Sequence, residues 1–326
     1  MTHVDIFGKS DVRFGKFPES IESQSNTTVI SHDIIIPSNQ ENNIKDSDIV
    51  TTNLVIDSRD RLHDDYANPS NYIIKLPDTI TNVVEIELIG AEIPKTHYNI
   101  NEYNNKIEFT VSGVNNGNPL TTTITEGNYT EAELVTALNA DPTFTPYLEI
   151  SYDTKTRKFN IGKKSGASGS EIILLFEGED EKYNNKTRKL YKKNTMGKVL
   201  GYNIENVTIL SSGSGGVDGS KQVDLNHDKY VMLKIKDLGT IHGIFMGVED
   251  AFAKIVLDNE FGTIKYLKIS DFGRRFIKTF SPPLGKLNDL EIEFRTYDNN
   301  LYNFNGVDHC LFFKITTLKQ SINYYS

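Results

Sequence analysis

The chain has no tryptophan, a single cysteine and no surplus of positive charge. Each absence excludes something. Cys310 cannot close an internal disulfide, so no covalent staple holds the fold and a reducing compartment suits it. Lys and Arg total 35 against 44 Asp and Glu, a formal net charge of −9. A chain of that sign lacks the basic face with which a general nucleic-acid binder displaces counterions. No window approaches the roughly 18 apolar residues that span a bilayer, and the opening M-T-H-V-D-I-F-G-K-S has no apolar signal core. The expectation is a protein that is neither exported by a signal peptide nor membrane-spanning. The seven His are scattered singly, without the H-x-H or H-E-x-x-H spacings of a zinc site.

What the chain does hold is strand-forming material. Its 16 Tyr and 17 Phe join many β-branched residues, a mixture that packs well on pleated surfaces. Residues 1–47 are polar apart from Ile34-Ile35-Ile36. Such a segment buries too little to fold alone. It reads either as a disordered tail or as an extended arm whose Ile run adds to a neighbour's sheet edge. From Thr51 the pattern becomes β. Strands are expected at Leu54–Ile56, at Tyr72–Leu76 stopped by Pro77, and at Asn82–Ile93. In the last, Val84, Ile86 and Leu88 alternate with Glu85 and Glu87, the period of a sheet with one wet side.

Residues 104–225 change character. Lys106–Val111 and Leu120–Ile124 suggest a hairpin, and Thr130 with Glu133 has capping-box spacing before a short helix carrying Leu134, Ala137 and Leu138. Strands follow at Leu148–Tyr152, Lys158–Ile161 and Ile172–Phe176, then a short helix over Thr195–Leu200 ending at Gly201. From Tyr230 five more strands are expected: Tyr230–Ile235, Ala251–Leu257, Phe276–Phe280, Leu287–Phe294 and Cys310–Thr317. Eight antiparallel strands with long connections suit a mainly β, jelly-roll-like sandwich with an inserted α+β subdomain. The division is an arm at 1–47, a first part of the sandwich at 48–103, the insertion at 104–225, the second part at 226–320 and a tail at 321–326. Two β domains in series is the competing architecture.

Several linked pieces carry a family resemblance. They are I-D-S-R-D-R, N-P-S-N-Y and L-P running into A-E-I-P-K-T-H-Y-N-I-N-E-Y-N-N; I-T-E-G-N-Y-T-E-A-E-L with Y-D-T-K-T-R-K-F-N-I and K-V-L-G-Y; A-F-A-K-I; and F-S-P-P-L-G-K-L followed by L-E-I-E-F-R-T-Y-D-N-N-L-Y-N-F-N-G-V-D-H. In this order they resemble the minor capsid or vertex proteins of large nucleocytoplasmic DNA viruses of the mimivirus and phycodnavirus type. The chain departs from that pattern at Leu62, where the family usually has a polar residue, and at Asn299-Asn300, where it has a Gly in the turn. The resemblance implies a non-enzymatic structural virion protein, assembled in the host cytoplasm. Its implied partners are the major capsid protein, other minor capsid proteins and further copies of itself, with an inner membrane as another surface it could touch. It implies no cofactor and no specific nucleic acid. Cementing or bridging of capsomers comes first. A five-fold vertex, or a spike or fibre module with host- or glycan-binding loops, is the alternative.

Candidate chemistry is sparse. Asp57, Asp60, Asp64 and Asp65 surround Arg59 and Arg61. The cluster lacks the Gly and terminal Glu of a helix-loop-helix calcium loop, and its two Arg neutralise the acids. A turn network of Asp57, Arg59, Asp60 and Arg61 is the expectation, with bidentate pairing fixing a crossing between strands. His309 and Cys310 are adjacent on a strand and so point to opposite faces, which argues against a thiol catalyst. Lys182, Lys186, Arg188, Lys189, Lys192 and Lys193 form the one basic run, after the acidic Glu177–Glu181. It reads as a self-neutralising solvated loop or as a docking patch for an acidic capsid surface. Ser281-Pro282-Pro283-Leu284 marks a sheet edge or corner. Tyr98, Tyr103, Tyr297, Tyr302, Tyr324 and Tyr325 gather near loops and the C-terminus, as interface residues or as sheet corners.

Overall fold

Two unusually long strands set the architecture. They are β2, Asn71–Pro94, and β15, Phe276–Arg295, which pair antiparallel along most of their length. The structure is a computed structural model, described over residues 48–183, 186–210, 215–225, 229–243, 248–268 and 275–319, all in the unit Asp46–Ser326. Around the long pair lie β1 (Ile49–Asp57), β12 (Tyr230–Ile235), β13 (Ala253–Val256), β14 (Ile264–Lys268) and β16 (Cys310–Leu318). The seven strands form one sheet in the order β1-β16-β2-β15-β12-β13, with β14 also paired to β2. Every pairing is antiparallel. Four expected strands have thus merged into two, and β14 is additional. β14 carries little apolar signal, since Ile264 and Tyr266 both face outward and only Leu267 is buried.

The sheet curls on itself, and the bend has a local cause. Opposite the single residue Val84, β15 places four, Phe280–Pro283; further on, β2 places Leu76–Thr79 opposite the single Asn288. Such bulges bend a strand and let Pro sit where no ladder donor is needed. Pro77 and Pro282-Pro283 therefore lie within strands rather than ending them. Asn82, at φ 53°, supplies a left-handed kink at the same place, a conformation Asn tolerates. On its other edge β2 slips register against β16 at Val84 and again at Ile89. Each slip resets which residues face inward, so the buried face runs Val83, Ile86, Leu88, Ala91, Ile93. Val84, Ile86 and Leu88 are buried as expected, with Val83 beside them; Glu87, expected on the wet face with Glu85, is buried too and pairs with Arg275. The outcome is a mainly β, antiparallel, sandwich-like body. Phe252, beside β13, and Phe313, on β16, come from opposite ends of the sheet order, yet their rings lie 6.1 Å apart in the core.

Between β2 and β12 the chain builds a second core. One sheet has the order β10 (Val207–Leu210), β7 (Glu171–Leu174), β3 (Lys106–Val111), β4 (Leu120–Thr123); the other has β11 (Val217–Asp218), β6 (Lys158–Lys163), β5 (Leu148–Asp153). A small hairpin pairs β8 (Glu181–Tyr183) with β9 (Lys186–Arg188). Ile107, Phe109, Leu134, Leu138, Phe144 and Phe159 are among the side chains fully buried in this core. The helix α1, Glu131–Ala140, begins with the capping box: Thr130 Oγ1 accepts from Glu133 N at 3.3 Å, and Thr130 N donates to Glu133 Oε2 at 2.8 Å. Asn139, on the same helix, pairs its amide with both backbone groups of Ile150 on β5, at 2.8 and 3.0 Å. The expected helix over Thr195–Leu200 is instead a turn. One i to i−4 bond, Leu200 N to Met196 O at 2.9 Å, forms before Gly201 at φ +82° ends it. An added Cβ at Gly201 would sit 2.5 Å from the Lys221 carbonyl oxygen, so only Gly fits.

Thr130→Ala removes the cap and should cost about 1 kcal/mol. Urea unfolding followed by circular dichroism checks this, and Thr130→Ser should retain most of the stability.

Candidate functional site

The turn after β1 is held by two arginines with opposite fates. Asp57 caps the short 3-10 turn Ser58–Asp60, its carboxylate accepting from Arg59 N at 2.9 Å. The Arg59 side chain, itself exposed, folds back on the same half-buried carboxylate, Nε to Oδ1 at 2.9 Å and Nη2 to Oδ2 at 2.5 Å. Arg61 turns inward and is buried. Its Nη1 donates to Ser58 O and to Asp308 Oδ1, both at 2.6 Å, and its Nε donates to Tyr66 O at 2.9 Å. Ser58 Oγ donates to the same Asp308 oxygen at 2.7 Å and accepts from His309 N at 3.0 Å. Ser58 N donates to His309 O at 2.9 Å. Asp60, Asp64 and Asp65 are exposed and make none of these side-chain bonds. The arrangement therefore draws on Asp57, Arg59 and Arg61, leaves Asp60 outside, and adds Ser58 and Asp308. Among the described residues, no three His, Cys, Asp or Glu side chains gather as metal ligands.

Electrostatics match this geometry. Burial would raise the Asp308 carboxyl, but the hydrogen bonds from Ser58 and Arg61 outweigh it and hold it below its usual range. His309 is enclosed by Tyr72, Phe294 and Phe304, with ring centroids 5.6, 4.5 and 4.9 Å away. Its Nε2 lies 3.0 Å from Pro69 O, and burial pulls its pKa down to about 4, so the imidazole is neutral at pH 7. Burial pushes the Cys310 thiol up to about 11. A neutral thiol beside a neutral imidazole that bonds elsewhere is a core pair in this geometry.

The basic run lies along the second core. Lys186 and Arg188 sit on β9. Lys189 pairs with Glu177 at 3.1 Å, and Lys192 with Glu108. Backbone bonds from Gly178 N to Leu190 O and from Lys192 N to Phe176 O fix the segment, as does Tyr191 OH donating to Tyr202 O at 2.7 Å. Lys193 is exposed. Past this point the chain turns under β3, with Lys106 N donating to Asn194 O.

Here the two cores meet over a cleft of about 680 Å³. One wall is the basic segment, Lys189–Val199. The other comes from the loop His97–Asn104 and the turn Thr296–Asn300. Both belong to the motifs that carry the family resemblance, and they are bonded to each other. Asn303 N donates to His97 Nδ1 at 2.8 Å, and Thr96 Oγ1 donates to Phe304 O at 2.8 Å. The His97 and Tyr302 rings stack at 4.9 Å. Asn299 adopts φ 66°, a left-handed conformation that Gly and Asn reach at little cost. Leu62, the other departure, is exposed. Ile34, Ile35 and Ile36, like Tyr324 and Tyr325, lie outside the described residues.

Arg61→Ala leaves the Asp308 carboxylate with Ser58 alone and frees two carbonyls, and should cost about 2–3 kcal/mol; Arg59→Ala should cost less, since the Arg59 side chain is mostly exposed. Equilibrium denaturation of both variants separates them. The His309 pKa is lowered on folding, so the unfolded chain binds more protons between pH 4 and 6.5. Its contribution is complete above pH 6.5 and is lost as pH falls toward 4. Urea midpoints measured across that range should fall with acid, and His309→Phe should flatten the slope.

Comparison with known proteins adds the following. Residues 41–156 match a family described as a family of unknown function (DUF5901), a stretch that includes β1, β2 and the insertion through β5. No curated protein matches the chain. Among solved structures it is similar to the crystal structure of the selenomethionine-labelled mavirus penton protein. The identity is 9%, the match covers 83% of this chain and 99% of that one, and the TM-score is 0.38. A likeness at that score carries no argument about function.

Proposed function

We propose that this chain is a non-enzymatic structural protein of a virus particle, a minor capsid protein that bridges or cements capsomers. The body would comprise residues 48–103 and 226–320, the insertion 104–225, and the arm 1–47. Its neighbours would be the major capsid protein, other minor capsid proteins and further copies, in a shell assembled in the host cytoplasm. The ordered run of motifs given above supports the family side of this reading.

One structural observation carries the mechanical side. β1 pairs with β16 over its whole length, and the ladder continues to Lys319 N donating to Asp48 O at 2.8 Å. Asp48 and Lys319, the first and last described residues, therefore lie at the same corner of the sheet. β1 is also the outer strand of the sheet order, with Val50, Thr51, Thr52 and Asn53 exposed. An outer strand offers unpaired backbone groups to another chain. An arm rooted beside it, carrying Ile34–Ile36, has the sequence to add to such an edge on a neighbour. Contacts of this kind are individually modest and gain strength by repetition over a symmetric shell.

Deleting residues 1–45 should leave a body that melts at the temperature of the full chain but enters assembling particles poorly, as measured by co-sedimentation of tagged chains with purified shells. Early melting of the truncated chain would place the arm in the core instead. Full incorporation without the arm would contradict the bridging role.

A further inference from the structure

We infer that the open edge of β1 is a self-association site, where β1 of a second copy of this chain pairs antiparallel about a two-fold axis at Asn53. The ladder with β16 shows which groups are on offer. At one end Lys319 N donates to Asp48 O, and at the other Ser58 N donates to His309 O. Alternate residues of an antiparallel ladder turn their N–H and C=O to the same side. The register runs unbroken between those ends, so the even-numbered residues bond to β16. Ile49, Thr51, Asn53, Val55 and Asp57 then turn their backbone groups to the open side. Among the described residues β1 pairs with β16 alone.

This edge carries none of the usual protections. Sheets blunt an open edge with Lys, Pro, a bulge or a short strand. β1 is nine residues long, has no charged residue and no Pro from Ile49 to Ile56, and shows no register shift against β16. At the other end of the sheet order, β13 is four residues long and carries Lys254. Val50 and Val55 of β1 are 43% and 55% exposed.

The spacing selects a second copy as the occupant. Asn53 is both the midpoint of the ladder from Asp48 to Ser58 and one of the residues turned outward. A two-fold through it, normal to the sheet, sets Asn53 against Asn53, Thr51 against Val55 and Ile49 against Asp57. Each outward N–H and C=O then has a partner, whereas an axis at Thr52 or Leu54 leaves an end residue unused. On the other face Val50 meets Ile56 and Thr52 meets Leu54. No like charges stand opposite each other. An unrelated strand could use the same backbone groups, but this coincidence of midpoint and outward residue belongs to the strand against its own copy, an isologous contact.

The inference needs no virus particle, and its failure leaves that proposal standing. Sedimentation velocity of the full chain from roughly 1 μM to 1 mM, the window for a contact below standard interface size, should show a monomer passing to a dimer. The Asn53 side chain is exposed, so Asn53→Lys and Asn53→Asp should each keep the melting temperature. Each alone should stay monomeric, because like charges then meet on the axis, and an equimolar mixture should dimerise again. Ile35→Asp should dimerise like the unaltered chain. A monomer at every concentration overturns the inference, as does a dimer that both Asn53 variants keep. Variants that dissociate but do not recombine put another segment opposite Asn53 and overturn it too. Loss of the dimer in Ile35→Asp would give the edge to the arm instead.

Discussion

The structure depends on the union of its first and last strands. β1 and β16 are 250 residues apart in sequence at the Ser58–Asp308 bond, and closing a loop of that length costs on the order of 5 kcal/mol. Backbone pairing along β1 contributes to offsetting that cost, but the specific contribution is the corner. There Arg61 reaches from one end of the chain and Asp308 from the other, with Ser58 bonded to both. Beside them Ile56, Leu311 and Phe313 enter the core, each burial worth roughly 1.5–3 kcal/mol. The polar bonds fix the register, and the apolar burial supplies most of the stabilisation.

Once the ends are joined, the remaining geometry follows from β2 and β15. Their paired bulges bend the sheet so that Phe252 meets Phe313, which closes the body over a single core. The same two strands deliver the His97–Asn104 loop and the Thr296–Asn300 turn to one place, where they meet the insertion. The cleft is thus a product of the bend.

Much of this was legible in the residues. The capping box at Thr130 and Glu133, the β3–β4 hairpin and the late strands carry local signals, and local signals are what a single sequence preserves. The failures share a cause. Pro77 and Pro282-Pro283 look like strand ends because their missing donors matter only if a partner residue stands opposite, and the bulges remove that partner. Glu87 looks like a solvent position because period-2 alternation assumes an unbroken register, yet it is buried against Arg275. Arg59 and Arg61 are the same residue type two positions apart, and only Asp308 decides which is buried. His309 and Cys310 draw the eye by their chemistry, yet the residue beside them that joins the chain's two ends is Asp308. Tyr103 and Tyr297 lie far apart in sequence, and nothing local shows that they share a cleft with the basic run.

Hydrogen exchange on the full chain tests the central claim most directly. If β1 and β16 close the body, their amides should be protected to the same degree as those of β2 near Ile86 and should exchange with them in one global event. If β1 exchanges early while β2 and β15 stay protected, the chain ends are a frayed edge, and the lock formed by Ser58, Arg61 and Asp308 does not hold the fold together.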